Sequence, residues 1–266
     1  FAALARLRLI HSPFPWVVRI YDRYLGPFIH PAGLEHDRLF RHSLLLMAGS
    51  QVGNVCNLAF QFAMVRLLSD VQYGVMAAML GMFATFSTPL GALQRTSTHY
   101  VAAFLKRGDM GLAKGLVGRL TRNVTWVAVP LLVTMVLGRH VFVEFFHLNS
   151  SAPVVLTAVA LSLTLFRPVF GGVLNGAQAF MWTTGLGVGW ALLRVLLAVI
   201  LVGAGLQASG ALTAHTGAVA LSLLVAIAAS ATVFGSAAAK REPVEGLIGY
   251  FCRYVVALLG YSVLVN

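Results

Sequence analysis

Arg194 stands inside the run GWALLRVLLAVILVGAG, residues 189–205, and Arg167 stands in a second apolar run, residues 153–175. Arginine keeps its proton in proteins, and a charge at the centre of a membrane helix costs roughly 2.5 to 3.5 kcal/mol on insertion scales. A cation kept at that depth faces a bundle interior or an aqueous pathway, and by default it marks the route of an ion or a charged substrate. The structural alternative is a buried arginine satisfied by backbone carbonyls or by a carboxylate. All eight acids, Asp22, Glu35, Asp37, Asp70, Asp109, Glu144, Glu242 and Glu245, fall in the tail, in loops or at helix ends. This sequence therefore offers neither arginine a mid-span carboxylate, and a cationic cavity is the favoured reading. Its chemistry is anion binding, because the planar guanidinium fork matches phosphate oxygens. Arg253, near the start of its own apolar run, reads as an anchor whose charge reaches the interface.

A second polar feature lies in residues 43–65. Ser50, Asn54, Asn57 and Gln61 fall within an arc of roughly 60° on a helix advancing about 100° per residue. Lipid offers no hydrogen-bond partner, so this stripe faces protein or water. Two readings stay open. One is hydrogen bonding between helices, supported by Gly49 and Gly53 at the GxxxG spacing of close helix packing. The other is the lining of a water-filled cavity. His140, Glu144 and His147, at i, i+4 and i+7, have zinc-like spacing, but they read as an ordinary interfacial loop and no metal is expected. Asn149, Ser150 and Ser151 fit a glycosylation sequon, a weak pattern. The sequence has no P-loop, no nucleotide-binding GxGxxG, no GxSxG elbow and no HExxH, so neither covalent catalysis nor a cofactor is expected.

The elements that must position these residues are membrane spans. Hydrophobic residues make up 59% and charged residues 10% of the chain, against about 45–50% and about 25% in an average soluble domain. The fold class is all-α, a polytopic transmembrane bundle. The net charge of +11 is explained by lipid headgroups and topology, and nucleic acid is not expected as a partner. Cys56 and Cys252 sit in apolar runs and read as buried thiols. Spans of about 20 apolar residues are expected at 43–65 and 71–94, joined by the link RLLSD, and at 123–138, where Arg122 and Arg139 flank the run and Pro130 can kink it. Further spans are expected at 153–175, 183–206 and 211–234, and a seventh starts near residue 247.

Basic residues alternate sides. The tail has Arg6, Arg8, Arg19, Arg23, Arg38 and Arg41; the second loop has Arg95, Lys106, Arg107, Lys114, Arg119 and Arg122; the sixth has Lys240 and Arg241; the opposite side has only Arg66 and Arg139. Fourteen against two places the amino terminus in the cytoplasm by the positive-inside rule. Three regions are expected: a basic tail at 1–42, six spans at 43–235, and a loop with the start of a seventh span at 236–266. The tail mixes arginine with Phe14, Trp16, Tyr21 and Tyr24, as an interfacial segment or an accessory tail would. A start at Phe1 and an end at Asn266 inside an apolar run suggest a piece of a longer protein.

The run NLAFQFAMVRLLSDVQYGVMAAMLGMFATFSTPLGALQR, residues 57–95, resembles the first two helices of the Wzx-type oligosaccharide flippases, the polysaccharide-biosynthesis membrane proteins of bacteria. The resemblance rests on the link Arg66, Leu67, Leu68, Ser69, followed by Tyr73 and Gly74. GGVLNGAQAF, residues 171–180, resembles the family's glycine-rich connection between its fourth and fifth helices. RVLLAVILVGAGLQASGAL, residues 194–212, resembles its fifth helix and the outward turn that follows.

This resemblance implies the multidrug/oligosaccharidyl-lipid/polysaccharide exporter fold, two six-helix lobes around a central cavity, in the bacterial cytoplasmic membrane. It implies a transporter and not an enzyme: a flippase moving a lipid-diphosphate-linked oligosaccharide, with membrane lipids, a polysaccharide polymerase and glycosyltransferases of the same pathway as partners. Arg194 and Arg167 would face the anionic headgroup, while Ser50, Asn54, Asn57 and Gln61 would face its sugars. The rivals are a flippase for peptidoglycan lipid precursors, a multidrug cation antiporter of the same superfamily, which calls for a cavity carboxylate, and a membrane-embedded glycosyltransferase, which calls for acidic residues on a sizeable loop.

Overall fold

The computed structural model describes residues 34–148 and 150–235. Residues 1–33 of the basic tail, Asn149, the sixth loop and the seventh span with Cys252 and Arg253 lie outside the described residues. The described residues form α1 (Leu34–Leu67), α2 (Asp70–Arg107), α3 (Met110–Leu137), α4 (Arg139–Phe145), α5 (Ala152–Thr164), α6 (Arg167–Gly176), α7 (Phe180–Leu201) and α8 (Gln207–Phe234), with a π-helical segment Val202–Leu206 between the last two. Strands are absent among them, and the all-α class stands. The chain falls into two compact units, Phe1–Ala48 and Gly49–Asn266. The packing below belongs to the second.

Local chemistry sets the helix ends. Ser69 caps α2, its hydroxyl accepting from the Gln72 N–H at 3.4 Å, and Leu68 is buried beside it. The expected link RLLSD is therefore only Leu68 and Ser69 long, since a capping serine lets α2 start at once. The second loop, expected over residues 95–122, is instead two helix ends joined at Gly108 and Asp109. Gly108 has φ 81°, the left-handed value that glycine adopts without penalty, and its N–H closes α2 on the Leu105 carbonyl. The basic residues of that loop lie on helices. Pro89 and Pro130 sit inside α2 and α3 without ending them.

The span expected at 153–175 is broken at Leu165 and Phe166, giving α5 and α6. Pro168 cannot donate to the Thr164 carbonyl, so the ladder must break one turn earlier. The glycine-rich segment 171–180 is also not a plain connection. Its glycines through Gly176 are helical, and only Ala177, Gln178 and Ala179 connect α6 to α7. The expected turn after the fifth span is present in tight form. Gly205 at φ 90° and Gln207 at φ 50° reverse the chain without a loop.

Among the described residues Met110–Leu137, Ala152–Gly176 and Phe180–Phe234 are long and apolar enough to cross a membrane, the last being the α7–α8 hairpin. The chain is a helical membrane protein. In α1 the polar stripe dilutes the hydropathy. Large apolar side chains point outward on α3 (Trp126, Val127, Val133), α7 (Leu196, Ile200) and α8 (Leu221, Leu224). Such a surface suits lipid and would be an aggregation liability in water.

Small residues make the closest helix contacts. Ala208, Ala211, Ala214 and Ala218 are buried on α8, which packs antiparallel on α7: Leu201 meets Gly210 and Leu197 meets Gly217. α6 runs parallel to α2, with the Ser97 hydroxyl donating to the Val169 carbonyl at 3.1 Å. A Cβ at Gly176 would lie 2.9 Å from the Thr98 carbonyl oxygen and 3.0 Å from Val101. Small residues let backbones approach this closely where the hydrophobic effect supplies no drive. Gly176→Ala is expected to lower stability by about 1–3 kcal/mol, whereas Gly118→Ala, at an exposed helical position with open space, should be neutral or gain a few tenths. Thermal unfolding of the two variants in the same detergent checks this.

Candidate functional site

α7 turns Arg194 inward. Leu192 and Leu196 on either side are exposed, while Arg194 is 7% exposed. Trp190 is one helical turn earlier on the same face, and the Arg194 guanidinium lies 4.8 Å from its ring centroid. α1 supplies the other contacts. Phe60 presents its ring 4.1 Å from the same guanidinium, and Arg194 Nη2 donates to Asn57 Oδ1 at 2.6 Å. Asn57 and Phe60 are three residues apart, hence on one face of α1.

The break between α5 and α6 sets Arg167 at the first position of α6, where its guanidinium lies 5.0 Å from the Trp190 ring. One indole therefore carries two cations. His215 of α8 meets the Trp190 ring edge-on at 5.9 Å and the Phe83 ring of α2 at 4.9 Å. These groups, with Asn57, Gln61, Leu80, Thr164 and Val219, line a cavity of about 380 Å³. Among the described residues no carboxylate lines it. Trp190 Nε1, Arg194 Nε and both nitrogens of His215 are buried without a hydrogen-bond partner among the described residues. Buried polar atoms are normally paired, and the indole and guanidinium atoms are donors. The cavity is thus short of acceptors, which is what an oxyanion supplies.

The sequence-derived residues divide. Arg194, Arg167, Asn57 and Gln61 come together around the cavity, and the Tyr73 hydroxyl donates to Gln61 Oε1 at 2.9 Å. Ser50 and Asn54 are exposed and do not line it. Arg66 ends α1 at an exposed position, and Gly74 has open space where a Cβ would be. Gly49 closely approaches Thr184 of α7, whereas Gly53 has open space around it, so the expected GxxxG pair acts at one position only. His140 lies on α4, and His147 follows it at φ 51°; the described residues gather no group of three metal-ligating side chains. Sequence reasoning missed His215, Trp190, Phe60 and Phe83. A signal existed for two of them: Trp190 is four residues before Arg194, and His215 is a lone ionisable residue within an apolar span.

The site is cationic and aromatic, set in a bundle of membrane helices. Two solved structures share that bundle fold. One is a MOP superfamily transporter from Pyrococcus furiosus, described as having a binding pocket of reverse polarity that suggests a different function; it is 15% identical, with a TM-score of 0.68 over 85% of this chain and 53% of its own. The other is a MATE protein in complex with Br-NRF, 17% identical, with a TM-score of 0.67 over 85% of this chain and 55% of its own. The chain spans about half the length of either. No protein-family model matches the sequence, and no curated protein is significantly similar to it.

Asn57 and Arg194 form a part-buried pair whose halves depend on each other. Asn57→Leu should destabilise by about 1–3 kcal/mol by stranding the guanidinium, whereas Arg194→Met combined with Asn57→Leu should recover most of that loss. A double-mutant cycle of thermal or denaturant unfolding in detergent reads this directly.

Proposed function

We propose that this chain is part of a flippase that carries a lipid-linked oligosaccharide diphosphate across the bacterial cytoplasmic membrane. The observation that carries the reading is the charge of the cavity: two guanidinium groups on one indole and, among the described residues, no lining carboxylate. A diphosphate brings the acceptors and the negative charge that such a cavity lacks. Gln61 and Asn57 stand beside it as hydrogen-bond partners for sugar hydroxyls, and the lipid tail stays in the bilayer. A drug cation would meet two positive charges here, so the multidrug reading is disfavoured although a MATE protein shares the fold.

The mechanism follows from the geometry. In water the diphosphate is solvated, and the bare bilayer core would strip that solvation at high cost. Fixed cations and donors replace the lost water in advance, so the headgroup crosses a polar path inside protein. Rocking of two lobes about the site would open it first to one side and then to the other. An inside-negative potential drives an anion outward by roughly 2.3 kcal/mol per charge per 100 mV.

Translocation of a prenyl-diphosphate oligosaccharide by the full-length protein in proteoliposomes tests this. Arg194→Ala is expected to lower the rate by about tenfold or more, the loss of one charge-assisted contact of roughly 1.5–3 kcal/mol, while Arg194→Lys keeps part of it. Normal translocation by the alanine variant, with insertion and folding intact, would sink the proposal.

A further inference from the structure

His215 is the group in the cavity that the flippase reading leaves unused. It is 7% exposed, both of its ring nitrogens are without a hydrogen-bond partner among the described residues, and it lines the same cavity as Arg167 and Arg194. A buried imidazole normally spends at least one nitrogen on a hydrogen bond. Phe83 and Trp190 do not provide one, because they meet the ring with aromatic edges and faces.

The surrounding charges decide what the imidazole does. From α7 it faces Arg194 and from α6 Arg167, both within electrostatic reach of its ring. α1 contributes the Asn57 and Gln61 amides and, near Arg194, the Cys56 thiol. α2 contributes Phe83 and α5 Thr164, neither of which titrates at ordinary pH. With the cavity empty, a third cation would stand beside two others with no carboxylate among the described lining residues. An oxyanion held between the guanidinium groups reverses that local field, and an imidazolium then gains a charge-assisted hydrogen bond to it.

Resting on the anion-site reading above, we propose that His215 is the third ligand of the bound diphosphate and takes up one proton as the anion binds. The imidazole lone pair accepts a proton from solvent, and the resulting N–H donates to a phosphate oxygen; when the anion leaves, the proton leaves with it. Anion and proton thus favour each other's binding, as linkage requires. A diphosphate diester with one co-bound proton keeps a net negative charge, so an inside-negative potential still drives it outward.

The test is calorimetric titration of the detergent-solubilised full-length protein with a short-chain prenyl-diphosphate sugar. Such a diester exchanges no proton of its own in the range of about pH 5–8 where histidine changes charge. Running the titration in buffers of different ionisation enthalpy counts the protons taken up. The wild type is expected to take up close to one proton per anion, with affinity rising by up to about tenfold per unit fall in pH. His215→Gln, which donates but cannot be protonated, is expected to bind more weakly, with no proton uptake and a flat pH profile. Binding without proton uptake by the wild type, or equal uptake by wild type and His215→Gln, overturns this inference and leaves the anion site standing. No binding of the probe at any pH overturns the anion site itself and this inference with it. If His215→Gln does not fold, the proton count of the wild type decides alone.

Discussion

A guanidinium at the depth of Arg194 must be surrounded by groups that favour its charge, and the packing of α1 against α7 follows from how this is done. The expected insertion cost is roughly 2.5 to 3.5 kcal/mol. Against it stand two aromatic rings, each worth up to about 2 kcal/mol for a desolvated cation, and a hydrogen bond to Asn57 worth roughly 1.5–3 kcal/mol. These terms are together as large as the cost. Arg194 is therefore tolerated without a carboxylate partner among the described residues. An acid in the place of Asn57 would cancel its charge.

The same constraint orders the rest of the bundle. Trp190 serves both cations, so α6 must deliver Arg167 to the indole from the far side of the broken span. Pro168 provides the break, and the close approach of Gly172 and Gly176 to α2 holds the short helix in position. The alanine face of α8 brings His215 to the cavity by allowing α8 to lie close along α7. Large apolar side chains fill the core, as Phe60, Met64 and Met79 do, and also cover the outer face, as Trp126 and Leu196 do. This is the distribution expected where the solvent is hydrocarbon.

The function proposed here needs a site that is stable when empty and more stable when filled. The aromatic and amide contacts meet the first need at Arg194. The second is met by donors left over: Arg194 Nε, Trp190 Nε1 and the His215 ring. Desolvated donors of this kind make a strong demand for acceptors. Under the proposed function a phosphate group would answer it with several oxygens at once.

Hydropathy and charge placement by themselves determined the class of the molecule, because 20-residue apolar runs and a one-sided distribution of arginines have no other economical explanation. They also singled out Arg167, Arg194, Asn57 and Gln61, which line one cavity, as polar groups that lipid cannot partner. Helix boundaries were misread where a local rule was missed, as at the Ser69 cap, and where helices continue through basic stretches, as through residues 95–122. What only the tertiary structure decided is which polar residues meet. Asn57 and Arg194 are 137 residues apart in sequence, and no periodicity relates them. Ser50 and Asn54 share the helical face of Asn57, yet they remain outside the cavity, because a face of α1 is longer than the site it passes. His215 and Trp190 left a trace in the sequence, but nothing in it placed them at one site. Their roles arise from the antiparallel packing of α7 on α8, a relation between helices that neither helix encodes alone.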